Sequence, residues 1–351
     1  MRLFTSTLTR NLLSSLAFAA VAVFLVYMVG DYTTSQVGTL GAYICAALGL
    51  TVLIGGNGQV SLGHAALMAV GAYTMAKFLG SQADALGRVS LGHVLVGLVA
   101  AGLVSLVVGI IIGLAAARLR GPYLAGATLA MGAAVPGLAA FFRGTFNGEQ
   151  GLPTPAPDVP AVLTQHLWIV DRYVALISVL TAAVILFVVS NLKRSAVGRH
   201  LAAVRDNEIA AQLCGLSVPR EQITAFALSA VTAGVGGACL SLVLQGANPT
   251  SFSLGLSLLV LGAVVLGGLG SLRGAIVGSV VVVFLARLLE NLKANDNLPT
   301  LVFGSLLIAV MLAAPGGLMR LFSRLRGRLP RRRPQHQPAQ RQTPQPQGEI
   351  S

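Results

Sequence analysis

The chemistry-bearing side chains of this sequence are few and clustered. The stretch IGGNGQVSLGHAALMAVGAY, from Ile54 to Tyr73, places Asn57, Gln59, Ser61 and His64 among five glycines, in the middle of an apolar chain. A second cluster, AVRDNEIAAQLCGLSV from Ala203 to Val218, carries Arg205, Asp206 and Glu208 beside the small residues Ala210, Ala211 and Gly215. The first suits a polar route through a hydrophobic medium, or a histidine bonded to a neighbouring carbonyl. The second suits docking on another surface. Neither is a catalytic set. The sequence contains no HExxH pair and no Ser/His constellation. The three lysines, Lys77, Lys193 and Lys293, all lie outside the Gly-Lys-Ser/Thr context of a phosphate-binding loop. The three cysteines, Cys45, Cys214 and Cys239, lie far apart without metal-ligand spacing and read as small apolar residues. No metal site and no enzyme activity are expected.

Composition decides the medium. The chain is 55% hydrophobic and 10% charged, where a soluble domain carries about 25% charge. Long uncharged runs recur, several reaching the roughly 18 residues that a membrane-spanning helix needs. An all-α, polytopic transmembrane bundle of about 8–10 spans is expected. Ten spans fit the pattern, at 12–30, 38–55, 61–80, 91–117, 121–143, 172–192, 223–245, 252–269, 274–290 and 299–314, with half-spans or re-entrant segments as the alternative for the glycine-rich ones. With the N-terminus inside, Lys and Arg divide 18 inside to 6 outside. Both termini are therefore expected in the cytoplasm.

Domain organisation follows from this map. Residues 1–319 form the membrane domain, with an external, proline-rich loop at 144–171 and an internal loop at 193–222. Residues 320–351 carry eight arginines, five prolines and several glutamines, a composition too polar to bury a core. The net charge of +13 fits contact with anionic lipid rather than nucleic acid. In the inner loop, Leu201, Val204, Ile209 and Leu213 recur at near-helical spacing. The residues from Arg199 to Cys214 are expected to form one short amphipathic helix, stopped by Gly215 and Pro219. Its face of Ala202, Ala203, Ala210 and Ala211 suits a groove on a partner protein, and its basic residues would also suit a lipid surface. An internal echo links Gly55-Gly56-Asn57-Gly58 with Gly267-Gly268-Leu269-Gly270. Paired glycine interruptions point to a transport pathway, although small residues also serve ordinary helix packing in membranes.

Glu208-Ile209-Ala210-Ala211, three further residues and Gly215 resemble the EAA loop of bacterial ABC importer permeases. Here an isoleucine interrupts the triplet and no Leu-Pro follows. GGNGQVSLGHAALMAVGAY, RLRGPYLAGATLAMG, the 203–218 segment, NPTSFSLGLSLLVLGAVVLGGLGSLRGAIVG and a terminal PGGL stand in the order and spacing of the branched-chain amino-acid ABC transporter permease family. GQVSLGHAA and RGPYLA are most like its M-type membrane subunit. The resemblance covers about residues 35–320. It implies the permease subunit of an ATP-driven importer in a bacterial inner membrane, carrying leucine, isoleucine, valine or related small amino acids. Urea or short amides are alternative cargoes within the family, and an ion-coupled secondary transporter is an alternative class. On this resemblance Arg205, Asp206, Glu208, Ala210, Ala211 and Gly215 couple to an ATPase. Asn57, Gln59, Ser61, His64, Gly71, Gly267, Gly268 and Gly270 are assigned to the translocation pathway. It also implies a homologous permease subunit, two ABC ATPase subunits and a periplasmic amino-acid-binding protein as partners. ATP and Mg are used by the ATPase subunits, and this chain binds no cofactor.

Overall fold

The computed structural model describes residues 2–28, 30–85, 87–119, 121–160 and 170–291, with 302, 304–305, 308–309 and 317–319. The predicted span at 299–314 and the arginine-rich tail fall largely or wholly outside these residues. Twelve α-helices occur among the described residues, in an all-α architecture. They are α1 (Arg2–Met28), α2 (Asp31–Asn57), α3 (His64–Gln82), α4 (Leu91–Ala116), α5 (Pro122–Phe141), α6 (Arg143–Phe146) and α7 (Val170–Leu192). After these come α8 (Ala196–Asp206), α9 (Glu208–Leu213), α10 (Val218–Val243), α11 (Leu254–Gly267) and α12 (Leu272–Asn291). Six of them contain segments long and apolar enough to cross a membrane: Leu8–Met28, Thr33–Asn57, Leu91–Ala116, Tyr123–Phe141, Val170–Leu192 and Val218–Val243.

Helices α2 and α10 form the centre and are buried along most of their length, whereas α1, α4 and α5 expose apolar side chains over much of their surface. The small residues of α10 explain its position. Ala230, Ala233, Gly234, Gly237 and Ala238 are all buried, and side chains this small let neighbouring backbones approach closely. A methyl group on Gly237 would strike the Met68 carbonyl of α3. Without a hydrophobic driving force between helices in lipid, such close backbone packing is a principal source of cohesion.

Two span predictions need correction. The predicted span at 61–80 begins instead at His64, because residues 58–63 are not helical. The predicted span at 252–269 is the 14-residue helix α11. At about 1.5 Å per residue it is about 21 Å long, short of the ~30 Å apolar thickness of a bilayer.

At one end of the bundle, three connections are stitched together. Strand β1 (Arg88–Val89) runs parallel to β3 (Ala156–Pro157), and β2 (Leu152–Pro153) is antiparallel to β4 (Gly246–Ala247). Asp158 N–H donates to Val89 O at 2.7 Å, and its carboxylate lies 3.6 Å from Arg88. Both side chains are exposed, so this ion pair adds little to stability.

Candidate functional site

At the opposite end, three segments converge on the first glycine-rich break. Helix α2 stops at Asn57 because Gly58 takes φ +78°, a left-handed conformation that glycine adopts without steric cost. Gly58 N–H then bonds Ile54 O at 3.0 Å, and Gln59 N–H bonds Leu53 O at 3.3 Å, which satisfies carbonyls at the helix end. The second break meets the first directly. A side chain on Gly55 would run into the backbone of Gly270, and one on Gly317 into Gly268.

The segment between α7 and α10 is the third party. Arg205 Nη1 donates to Gly55 O at 2.5 Å, while its Nε and Nη2 donate to Asp206 Oδ1 at 3.0 and 2.7 Å. Lys193 Nζ donates to Gly270 O. One cation thus holds a carbonyl of each break. Burial, and then the nearby Arg205 charge, pulls the Lys193 pKa below its ordinary value.

The helix expected between Arg199 and Cys214 is instead two. Asn207 is extended (φ −161°, ψ 108°) and its side chain accepts from Ala210 N–H at 3.0 Å, starting α9 in a new direction. The single apolar face read from the sequence is divided by this break. Leu201 and Val204 turn inward and are buried, whereas Ile209 and Leu213 are 72% and 85% exposed. Ala211, assigned to the outward coupling face, packs inside against Val204 and Val218. Ala210 and Glu208 remain exposed. Gly215 takes φ +82°, and Leu216 N–H to Ala211 O with Gly215 N–H to Gln212 O closes a six-residue terminal turn. His200 Nδ1, 3.4 Å from a Glu221 carboxylate oxygen, ties α8 to the base of α10.

The pathway residues separate into two kinds. Asn57, Gln59 and Ser61 are buried in the break. Asn57 Oδ1 and Nδ2 and Gln59 Oε1 have no hydrogen-bond partner among the described residues, an arrangement expected where water or a passing ligand supplies the bonds. His64 is fully buried at the start of α3, with Nε2 3.1 Å from Ser229 Oγ of α10. Gly71 and Gly267 are packing positions, against Gly234 and Gly274 respectively. Gly268 and Gly270 make the turn between α11 and α12 with positive φ.

Four residues went unnoticed in the sequence. Lys193 reads there only as a topology charge. Thr128 Oγ1 accepts from Leu62 N–H at 3.0 Å, and Ser257 Oγ accepts from Ala65 N–H at 2.9 Å. These two hydroxyls, from α5 and α11, satisfy amides at the start of α3 and fix the far side of the break. Ser229 is the fourth. Isolated hydroxyls in apolar runs give no periodic signal.

A cleft of about 590 Å³ opens between α3, α4, α5 and α6, lined by Val70, Tyr73, Val108, Met131 and Phe146 among others. Its walls are almost wholly apolar. Tyr73 and Phe146 meet edge to face with ring centroids 5.0 Å apart.

The family model described as "Branched-chain amino acid transport system / permease component" matches residues 32–312. Over 324 residues the chain is 32% identical to the high-affinity branched-chain amino acid transport system permease protein LivM of Salmonella typhimurium. That alignment covers 87% of this chain and 74% of the relative. It is 26% identical to a probable branched-chain amino acid transport permease protein LivM of Methanocaldococcus jannaschii, over 66% of this chain and 69% of that one. A shorter match, 28% identical over 35% of this chain and 39% of the relative, is to the ribose import permease protein RbsC of Haemophilus influenzae. No solved structure matches. With a family model spanning most of the sequence and a bundle of apolar helices around two glycine breaks, the chain belongs to the permease components of branched-chain amino acid transport systems.

Proposed function

We propose that this chain is the membrane permease subunit of an ATP-driven ABC importer that moves leucine, isoleucine, valine or related small amino acids inward across a bacterial inner membrane. The observation that carries the proposal is the junction where Arg205 of α8 holds Gly55 O beside Gly270. Around it, α9 presents Ile209 and Leu213 outward on a turn fixed by Asn207 and Gly215. In this reading an ATPase subunit covers Ile209 and Leu213, and its movement on ATP binding displaces α8 and α9. Arg205 transmits the displacement to the end of α2, and Lys193 transmits it to the α11–α12 turn. The apolar cleft beside α3 offers the kind of surface that an aliphatic side chain requires.

The system then comprises a homologous permease subunit, two ABC ATPases that bind ATP and Mg, and a periplasmic binding protein that docks at the stitched end. Both termini of this chain face the cytoplasm.

The test is co-purification of the ATPase subunits together with uptake in reconstituted vesicles. Ile209→Asp/Leu213→Asp should leave the chain at normal abundance, because both side chains are exposed. It should reduce ATPase capture and ATP-dependent uptake more than tenfold. Truncating two buried interface anchors removes about 2 kcal/mol or more from an association. Undiminished capture with full uptake, or uptake that follows a proton gradient without ATP, would overturn the proposal.

A further inference from the structure

We propose that a basic cavity between α1, α7 and α12 binds the headgroup of an anionic phospholipid, with its apolar wall taking the first part of an acyl chain. The cavity is about 890 Å³ and lies at the same end of the bundle as α8 and α9. Four cations line it: Arg10, Lys193, Arg194 and Arg273. No acidic residue does. Among the described residues none of the four is in an ion pair. With no carboxylate among them, these four exposed cations make the cleft favourable to an anion.

The chemistry of the lining distinguishes a lipid from a small anion. Ser14, Ser190 and Asn11 add polar groups beside the cations, which suits phosphate and glycerol oxygens. Ser271, whose Oγ caps Gly274 N–H at 3.1 Å, lines the same space at the start of α12. Phe18, Leu186 and Ile276 add apolar lining, which free phosphate has no use for. Basic pockets between membrane helices near the headgroup level are a general way to hold anionic lipids. The Asn11–Asn191 hydrogen bond, 2.8 Å between α1 and α7, fixes the distance between two walls of the cavity.

The test is the thermal unfolding midpoint of the purified full chain in neutral detergent, titrated with phosphatidylglycerol, phosphatidylcholine or inorganic phosphate. Phosphatidylglycerol should raise the midpoint saturably, and the other two should not. Arg194→Gln/Arg273→Gln should weaken phosphatidylglycerol binding about thirtyfold, which is ~2 kcal/mol at about 1.4 kcal/mol per tenfold. Arg194→Lys/Arg273→Lys should retain most of the binding. Arg220→Gln, at the same end but outside the cavity, should bind like wild type. If the double glutamine variant does not purify, Arg273→Gln alone decides the question, with about fivefold weaker binding expected. An equal response to phosphatidylcholine would mean apolar filling only, and an equal response to phosphate would mean a small-anion site. Either overturns the proposal, as does equal loss in Arg220→Gln or unchanged binding in the cavity variants.

Discussion

The two glycine-rich breaks look alike in the sequence and behave differently in the fold. The 55–63 break leaves helix α2, buries Asn57, Gln59 and Ser61, leaves Asn57 and the Gln59 Oε1 without a partner among the described residues, and is pinned by Thr128 and Ser257 from two other helices. The 267–271 break joins two helices that pack on each other, with Gly267 against Gly274 and Ala263 against Gly278. Its glycines are spent on one tight hairpin. Equivalent composition therefore yields a polar interruption in one place and a packed turn in the other. What separates them is the set of polar side chains interleaved with the glycines. Each break is nonetheless gripped by one basic residue, Gly55 O by Arg205 and Gly270 O by Lys193.

The largest expected effect probes the point where the breaks touch. Gly55→Val drives a branched side chain into the Gly270 backbone, which cannot move aside like a flexible side chain. It should destabilise the bundle by about 3 kcal/mol, the upper part of the overpacking range, and abolish uptake. Its neighbour Gly56 has only ordinary contacts with Leu201 and Val52. Gly56→Ala should be neutral or stabilising by about 0.5 kcal/mol. Equal thermal stability of the two variants would remove the contact from the account.

A smaller effect tests whether the first break is polar for a reason. Asn57→Leu replaces a buried side chain with unfilled hydrogen bonds by an apolar one of similar size. Thermal stability should change by under about 1 kcal/mol, since removing an unsatisfied polar group costs little, while uptake falls severalfold. Unchanged uptake would reduce the first break to a packing turn like the second.

The smallest effect is a pH dependence at the second break. The Lys193 pKa is below 10.5 in the folded chain, so its charge opposes folding at neutral pH. That opposition fades as pH rises through the lowered value toward 10.5, because there the unfolded chain binds more protons. The midpoint of wild type relative to Lys193→Gln should therefore rise across this alkaline window. The rise should shrink in an Arg205→Gln background, where one cause of the shift is gone. A flat difference would mean that the Lys193 pKa is not lowered, and an undiminished rise in the Arg205→Gln background would separate Lys193 from Arg205.

Much of the architecture was legible in the sequence, because lipid imposes strong constraints. Runs such as Val94–Ala117 and Ile223–Val243 cannot be anything but buried or spanning, and α4 and α10 lie where they were expected. The positive φ at Gly215 was also legible, since a glycine after a helical run followed by proline has few alternatives. The direction of the 199–214 face was not. It depends on Asn207 choosing to cap a new helix rather than continue the old one, and a residue neutral toward both outcomes leaves no periodic trace. Ala211 consequently lies inside instead of on the docking face, while Ile209 lies outside. The exact end of α11 was less legible, because glycine and leucine run on past it and leave a full span and a half-span both open. The anchoring roles of Thr128 and Ser257 depend on tertiary proximity that one sequence does not encode locally.

The paired strands at the stitched end carry a consequence for biogenesis. Residues 88–89 meet 156–157, and 152–153 meet 246–247, although α4 to α6 intervene in the first case and α7 to α10 in the second. Neither pairing can form while its helices are still leaving the insertion machinery, so the plate closes only after they have found their places. It records the placement of the helices up to α10. A binding surface built on that plate would remain unavailable until α10 is in place, so soluble partners would not engage chains that stop short of it.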